Sequence, residues 1–348
     1  MSLIKKLILN FTLLFAVFFH FEIKALLDLE ETPQEFVLSS KRIILKGYEE
    51  AFNASIIRWK GQLLMTFRIV PNPFFTFNSQ IGIVLLDDDF NPVSTPQLLD
   101  TCDPRTVVPS RAEDARLILI GEKLYIVYSD NKDDYISKGG FRVYVSELIY
   151  ENDKFFVINT DCLRDFEGSS PYVREKNWVP FEFNGMLMLA YSINPHRILR
   201  PILGLEKCES VASTSAMIVW NYGGLRGGTT ALLHENQYLS FFHSSLKMST
   251  EHSDGRSMLH YFMGAYTFSA SPPFEITKIS QEPIVGQNFY KGEYYKPYWG
   301  SVRCIFPCGF IIEDLYIYVS YGRQDHEIWI AKLDKQALLM SLVPVKME

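Results

Sequence analysis

The sequence predicts an all-β fold, a five-bladed β-propeller, and three observations lead there. One phrase recurs five times along the 348 residues: a small or polar anchor, an apolar run, a tight turn, then a second run rich in aromatics. The copies are Asn53–Arg68, Asp114–Asp130, Asn177–Ser192, Thr229–Ser244 and, more loosely, Cys304–Gly322. Their anchors are spaced about 50 to 75 residues apart, an interval suited to a sheet-forming repeat. Helical periodicity is weak throughout. If each anchor begins an inner strand, the anchoring side chains converge on an axial pocket.

Each phrase reads as a β-hairpin. The turns are Lys60-Gly61, Gly121-Glu122, Asn184-Gly185, Glu235-Asn236 and Glu313-Asp314. Glycine and asparagine tolerate the positive φ of tight hairpin turns. The continuous apolar runs around them suit strands covered on both faces, as packed blades require. A second, more alternating segment follows most phrases and predicts the outer strands: Ile81–Phe90, Phe141–Ile158, Ala216–Tyr222, Tyr261–Ile279 and Glu327–Leu339. Asp334–Met340 predicts a short helical turn. Pro71–Ser79, Asn194–Ser213 and Lys247–Ser257 carry the proline, glycine, serine and charge of loops.

The repeats leave no segment for a second core, so residues 35–348 read as one domain. A composition of 47% hydrophobic and 14% aromatic residues supplies the apolar surface to bury. A net charge of −6 lacks the basic footprint of a nucleic-acid binder. Lys5 and Lys6 precede an uncharged apolar run, Leu7–Phe21, with Ala25 as the cleavage residue. Residues 1–25 therefore read as an export signal, or, if uncleaved, as a membrane anchor. The run is short against the ~20 residues of a membrane span. Cys102, Cys162, Cys208, Cys304 and Cys308 are odd in number and lack metal-ligand spacing, so no structural metal is expected. Asn53-Ala54-Ser55 is formally a glycosylation sequon, on an anchor expected to face the pocket.

Four constellations carry chemistry. Glu113 and Asp114 stand between Arg111 and Arg116. In a regular strand the two carboxylates point to opposite faces, so one of them faces the axis, as a pocket acid or as part of an ion-pair bracket. Glu175-Lys176-Asn177-Trp178 offers a cation, an amide and an indole, suited to a polyol or an oxyanion. Gly223–Thr230 surrounds Arg226 with glycines and leads to His243; it lacks the Lys-Ser/Thr ending of a phosphate loop and any βαβ context. Its glycines fit a ligand approach or a close crossing of blades equally. Tyr261, Tyr266, Arg303 and Asp325 gather near predicted strand ends, as in sugar sites and in propeller packing alike. No nucleophile elbow and no zinc-protease motif is present.

These segments, in order, resemble glycoside hydrolase family 130, the mannoside phosphorylases and mannosidases. The resemblance rests on Asn53–Arg68, Glu113–Leu117, Lys176–Phe181, the glycine-rich stretch ending at His243, Met263–Tyr266, Pro283-Ile284, Val302–Gly309 and Tyr321–Asp325. It implies a five-bladed propeller acting on an oligosaccharide or glycoside. It also implies Asp114 as general acid, its proton passing through a sugar hydroxyl. Lys176, Asn177, His243, Tyr261 and Arg226 are implied at a phosphate site, and Asn53, Arg68, Glu113, Arg116, Trp178, Tyr266, Arg303 and Asp325 are the candidate substrate contacts. Inorganic phosphate is the co-substrate this implies; no cofactor or metal is expected. Two departures stand out. Ala115 replaces the family's proline, and Tyr191–His196 occupies the place of a further phosphate-binding arginine. Water and phosphate thus both stay open as nucleophile. A glycosyltransferase and an exported glycan-binding propeller are the rival readings. Lys176, Arg226 and His243, from successive repeats, are expected to form a cationic cluster that demands an anion.

Overall fold

The computed structural model describes residues 26–71, 78–102, 110–131, 140–292 and 302–347. The predicted export signal, residues 1–25, lies outside them, as does most of the predicted loop at 71–79.

The described residues are mostly strand with very little helix, and they form a propeller. Four sheets are regular four-stranded blades. The first runs outward through Phe52–Trp59, Gln62–Ile69, Gln80–Leu86 and Gln97–Leu98. The second is Glu113–Ile120, Lys123–Asp130, Arg142–Glu151 and Lys154–Leu163. The third is Val179–Phe183, Met186–Ser192, His196–Ile202 and Lys207–Thr214. The last starts inside at Ile305–Ile312 and passes through Tyr316–Arg323 and Glu327–Asp334; its outermost strand is Val37–Ile43, from the other end of the chain. That antiparallel pairing, from Val37 with Leu333 to Ile43 with Ile328, latches the ring shut.

The expectation of five blades needs correction, because only four sheets among the described residues are regular blades. The phrase at Thr229 belongs to a seven-stranded sheet built on Gln237–Met248 and Met258–Ser269. The glycine-rich stretch splits its inner edge into Arg226–Gly227 and Leu232–His234. Val302–Arg303 adds a parallel pairing, and Val343–Pro344 extends the outer edge. The glycines are there for close approach. A Cβ on Gly227 would lie 2.1 Å from the Asn177 carbonyl oxygen, and one on Gly228 would lie 2.5 Å from that of Phe241.

Apolar layers between neighbouring sheets hold the ring. Ile311, Ile328 and Ile330 pack on Ile56, Met65 and Phe67; Leu64 and Ile83 pack on Leu117 and Ile126. Val127 and Val143 meet Leu189 and Leu199, Phe181 meets Phe268, and Phe241 meets Phe310. Each large apolar side chain so buried contributes about 1.5–3 kcal/mol.

Two segment assignments differ from expectation. Asn194–Ser213, predicted as a loop, holds the two outer strands of the third blade. Its edge strand Lys207–Thr214 is largely exposed, so no apolar alternation marks it. Ala216–Tyr222, predicted as an outer strand, contributes only Ala216–Met217, paired with Lys346–Met347. The helical turn is present as Lys335–Ser341, capped by Asp334, which accepts from the Ala337 amide at 2.8 Å. All five cysteines are free thiols. No helix of the described residues is long and apolar enough to cross a membrane.

Candidate active site

Three anchors share an unusual backbone. Asn53, Asp114 and Asn177 have φ of 46°, 57° and 63°, the left-handed region that asparagine and aspartate enter more easily than other side-chain-bearing residues. At Asn53 and Asp114 the pairing register slips, between Phe52 and Ser55 and between Glu113 and Arg116. These are β-bulges, which re-aim side chains at a strand's start. The strict alternation expected for Glu113 and Asp114 therefore fails: both carboxylates enter the same cavity.

That cavity, of about 590 Å³, is predominantly polar. On the side of the first two blades, Arg68 pairs with Glu113 at 2.7 Å and with Asp114 at 3.3 Å. The Asn53 amide donates to Asp114 Oδ1 at 2.8 Å. Lys176 reaches from the third blade to pair with Glu113, its ammonium 3.4 Å from the centre of the Phe141 ring. Arg226, His243 and Tyr261 form another wall, and Asp325 and Phe306 come from the last blade. His243 lies against Tyr261 and Phe306, with centroid separations of 6.0 and 4.5 Å. The sequence thus brought together Asn53, Arg68, Glu113, Asp114, Lys176, Asn177, Trp178, Arg226, His243, Tyr261 and Asp325.

Three other candidates stand elsewhere. Arg116 is fully buried behind the wall. It donates to the carbonyls of Asp114 (2.8 Å) and Gly228 and to Asn177 Oδ1 (3.1 Å), joining three sheets at one guanidinium. Tyr266 is buried in the core beside Phe242 and Phe268. Arg303 donates to the carbonyls of His252 and Gly292 and is not part of the cavity wall. Trp178 borders the cavity but is only 1% exposed, its ring edge-on to Phe166 and Tyr191. It supports the wall rather than offering a stacking face.

Electrostatics revise the expected cationic cluster. Burial, reinforced by Arg116 and Arg226, pushes His243 down to about 3, so the ring is neutral near pH 7. Four cations line the cavity, Arg68, Arg174, Lys176 and Arg226, and four carboxylates face them, Glu113, Asp114, Glu175 and Asp325. The protein balances its own charge, and the argument for an obligatory anion lapses. Burial raises Asp114, but Arg68, Arg116, Asn53 and Lys176 outweigh it and hold the carboxyl below the usual range. Burial, with Asp114 and Glu113 nearby, carries Asp325 up to about 6 despite Arg68.

Glu175, Arg174, Tyr191, Cys304 and Phe306 also line the cavity and had not been singled out as site residues. Glu175 adjoins Lys176 in the stretch Glu175–Trp178, and that adjacency is its one signal in the sequence.

No protein-family profile matches the sequence, and no curated protein does. Solved structures do. A β-1,2-mannobiose phosphorylase from Listeria innocua aligns over 88% of this chain and 94% of its own at 16% identity, with a TM-score of 0.54. A mannose phosphorylase from Leishmania mexicana, solved with phosphate, aligns over 89% and 92% at 12% identity, TM-score 0.57. A third, described with the mannoside phosphorylases and β-1,2-mannoside hydrolases of family 130, aligns over 82% and 85% at 12% identity, TM-score 0.58. At such identities the likeness is one of fold. It agrees with the resemblance carried by the motifs.

Proposed function

We propose that the protein cleaves β-mannoside-type glycosidic bonds with inversion at the anomeric carbon, Asp114 donating the proton to the leaving oxygen. One observation carries this reading: a bulged, left-handed Asp114 projects into a large polar cavity whose other walls are carboxylates, cations and amides. Such a lining suits the dense hydroxyls of a sugar, and the volume lies in the range of small-ligand sites. A pair of carboxyl groups about the scissile bond is the usual means of glycoside cleavage. Asp114 rests as a carboxylate. A bound sugar excludes more water from it, and burial is already the largest influence raising its pKa, so binding favours the protonated form.

We read the seven-stranded sheet as the fifth blade of the ring, which gives the cavity the axial place such sites have. The solved neighbours that act on β-1,2-mannosides support that substrate class by shared fold. A panel of β-linked manno-oligosaccharides and aryl glycosides, with and without phosphate, tests the proposal by product analysis. Release of a sugar or sugar phosphate of inverted configuration supports it. Retention of configuration, or no cleavage across the panel, removes it. We also propose export through residues 1–25. Mass spectrometry of protein from the envelope or medium should find a terminus near residue 25, whereas a cytoplasmic protein with Met1 intact would contradict it.

A further inference from the structure

We propose that Glu175 is the general base of this site, taking a proton from a water molecule that attacks the anomeric carbon, so that the enzyme hydrolyses its substrate without phosphate. The inference rests on the glycoside-cleaving reading above and names its nucleophile.

Glu175 is 3% exposed and lines the cavity. Its backbone amide donates to the Phe141 carbonyl at 3.2 Å, tying it to the second blade. Its Oε2 accepts from the Trp178 indole at 3.3 Å, which fixes the carboxyl plane. Its Oε1 is buried and meets no donor in hydrogen-bonding geometry, although the Tyr191 hydroxyl stands close enough to lower the carboxyl's pKa. A carboxylate oxygen stripped of water and left without a donor is costly, so its persistence calls for a reason. A water held in the cavity supplies the missing donor.

The neighbourhood points the same way. Glu175 immediately precedes Lys176 and Asn177, the pair to which the motif resemblance assigns the nucleophile. Tyr191, a neutral phenol, stands where that resemblance expects another cation. A carboxylate here repels a phosphate dianion and accepts a proton from water. Burial pushes the Glu175 carboxyl up, and Trp178, Arg142, Tyr191 and Arg197 only partly draw it back. A base tuned upward toward neutrality is better matched to proton abstraction than an ordinary carboxylate.

The step balances. The water oxygen bonds to the anomeric carbon while one water proton passes to Glu175. The carbon–oxygen bond to the leaving group breaks with its electron pair, and the leaving oxygen takes a proton from Asp114, directly or through a sugar hydroxyl. The products are a hemiacetal of inverted configuration and a free alcohol. Solvent exchange then returns Glu175 to carboxylate, and Asp114 takes up its proton again when the next substrate binds.

The test compares the full chain with Glu175→Gln and Glu175→Ala on a dinitrophenyl β-mannoside, whose leaving group needs no acid. Parent enzyme in phosphate-free buffer and 18O-water should release labelled α-mannose. Glu175→Gln, which keeps an acceptor for the Trp178 indole, should lose on the order of 10²–10⁴ in kcat and the acid limb of its pH profile. Azide should restore turnover to Glu175→Ala and yield the α-mannosyl azide, a rescue that a merely structural role would not produce. Parental turnover by Glu175→Gln overturns the assignment while leaving glycoside cleavage intact, as does parent activity that requires phosphate and yields a sugar phosphate. Failure of the parent to cleave any glycoside, with water or phosphate, overturns the underlying reading as well.

Discussion

Asp114 shows how one residue's role is set by two kinds of neighbour. Its left-handed backbone is a local property, tolerated because the side chain is aspartate. Its lowered pKa is a distant one, imposed by Arg68, Arg116, Asn53 and Lys176 against the effect of burial. Asp114→Asn preserves the shape and tolerates the same φ. We expect it to fold, with kcat reduced on the order of 10²–10⁴ on substrates with poor leaving groups; steady-state kinetics beside a thermal melt check both halves. Arg116 is not a substrate contact but a brace. Arg116→Met would leave the Asp114 and Gly228 carbonyls and Asn177 Oδ1 without their donor. Buried unsatisfied acceptors make a loss on the order of 3 kcal/mol the expected result of urea unfolding.

The bulges are the elements that make the pocket, and their partners are shaped to receive them. Gly322, in the middle strand of the last blade, lies against the Asn53 side chain: a Cβ there would sit 1.9 Å from Asn53 Oδ1. Gly322→Ala should push Asn53 off Asp114, destabilise the fold by about 1–3 kcal/mol as overpacking does, and lower kcat. Activity and denaturation midpoints both unchanged would mean that the bulge does not position Asp114. Four of the predicted hairpin turns are present with positive φ, at Lys60-Gly61, Gly121, Asn184-Gly185 and Glu235. The fifth closes instead through the Glu313 amide bonded to the Tyr316 carbonyl at 2.9 Å. The edge strand of the third blade, Lys207–Thr214, escaped prediction because an exposed edge need not alternate, and its inner neighbour His196–Ile202 because Pro201 reads as a loop residue.

Across the whole molecule, three buried histidines, His196, His243 and His260, and two carboxyls raised by burial, Asp325 and Glu175, set opposing pH dependences. Burial pushes His196 down to about 4, and burial with Arg116 and Arg226 takes His243 to about 3. Unfolded, both bind protons near pH 6.5, so their contribution to stability is full above that value and is lost as pH falls. Asp325, raised to about 6, acts oppositely: its contribution is full at low pH and is lost as pH rises from about 4 to 6. Three histidines outweigh the two raised carboxyls, and melting temperature should fall between pH 6.5 and 4. His196→Gln should flatten that slope, and an unchanged slope would contradict it. The ring closure carries a further expectation. A chain starting at Leu26 keeps the latch strand Val37–Ile43 and should melt like the full chain. One starting at Ile44 exposes the edge of Glu327–Asp334 and should lose at least ~10 °C, or aggregate.

The sequence by itself determined the all-β class, the repeat, most hairpins and the convergence of eleven of fourteen candidate site residues on one cavity. These follow from local chemistry, namely apolar runs, turn residues and anchors able to adopt left-handed φ, and, for the site residues, from the ordered motifs that resemble family 130. Tertiary structure decided what depends on neighbours far along the chain. It took Tyr266 and Trp178 out of water, set Arg116 to brace three sheets, made His243 neutral, and brought Glu175 into the cavity with an unpaired oxygen. It also gave both Glu113 and Asp114 to the pocket, because a bulge is a misfit between two strands and strand alternation alone does not encode it. Burial and charge coupling arise only when the blades close into a ring.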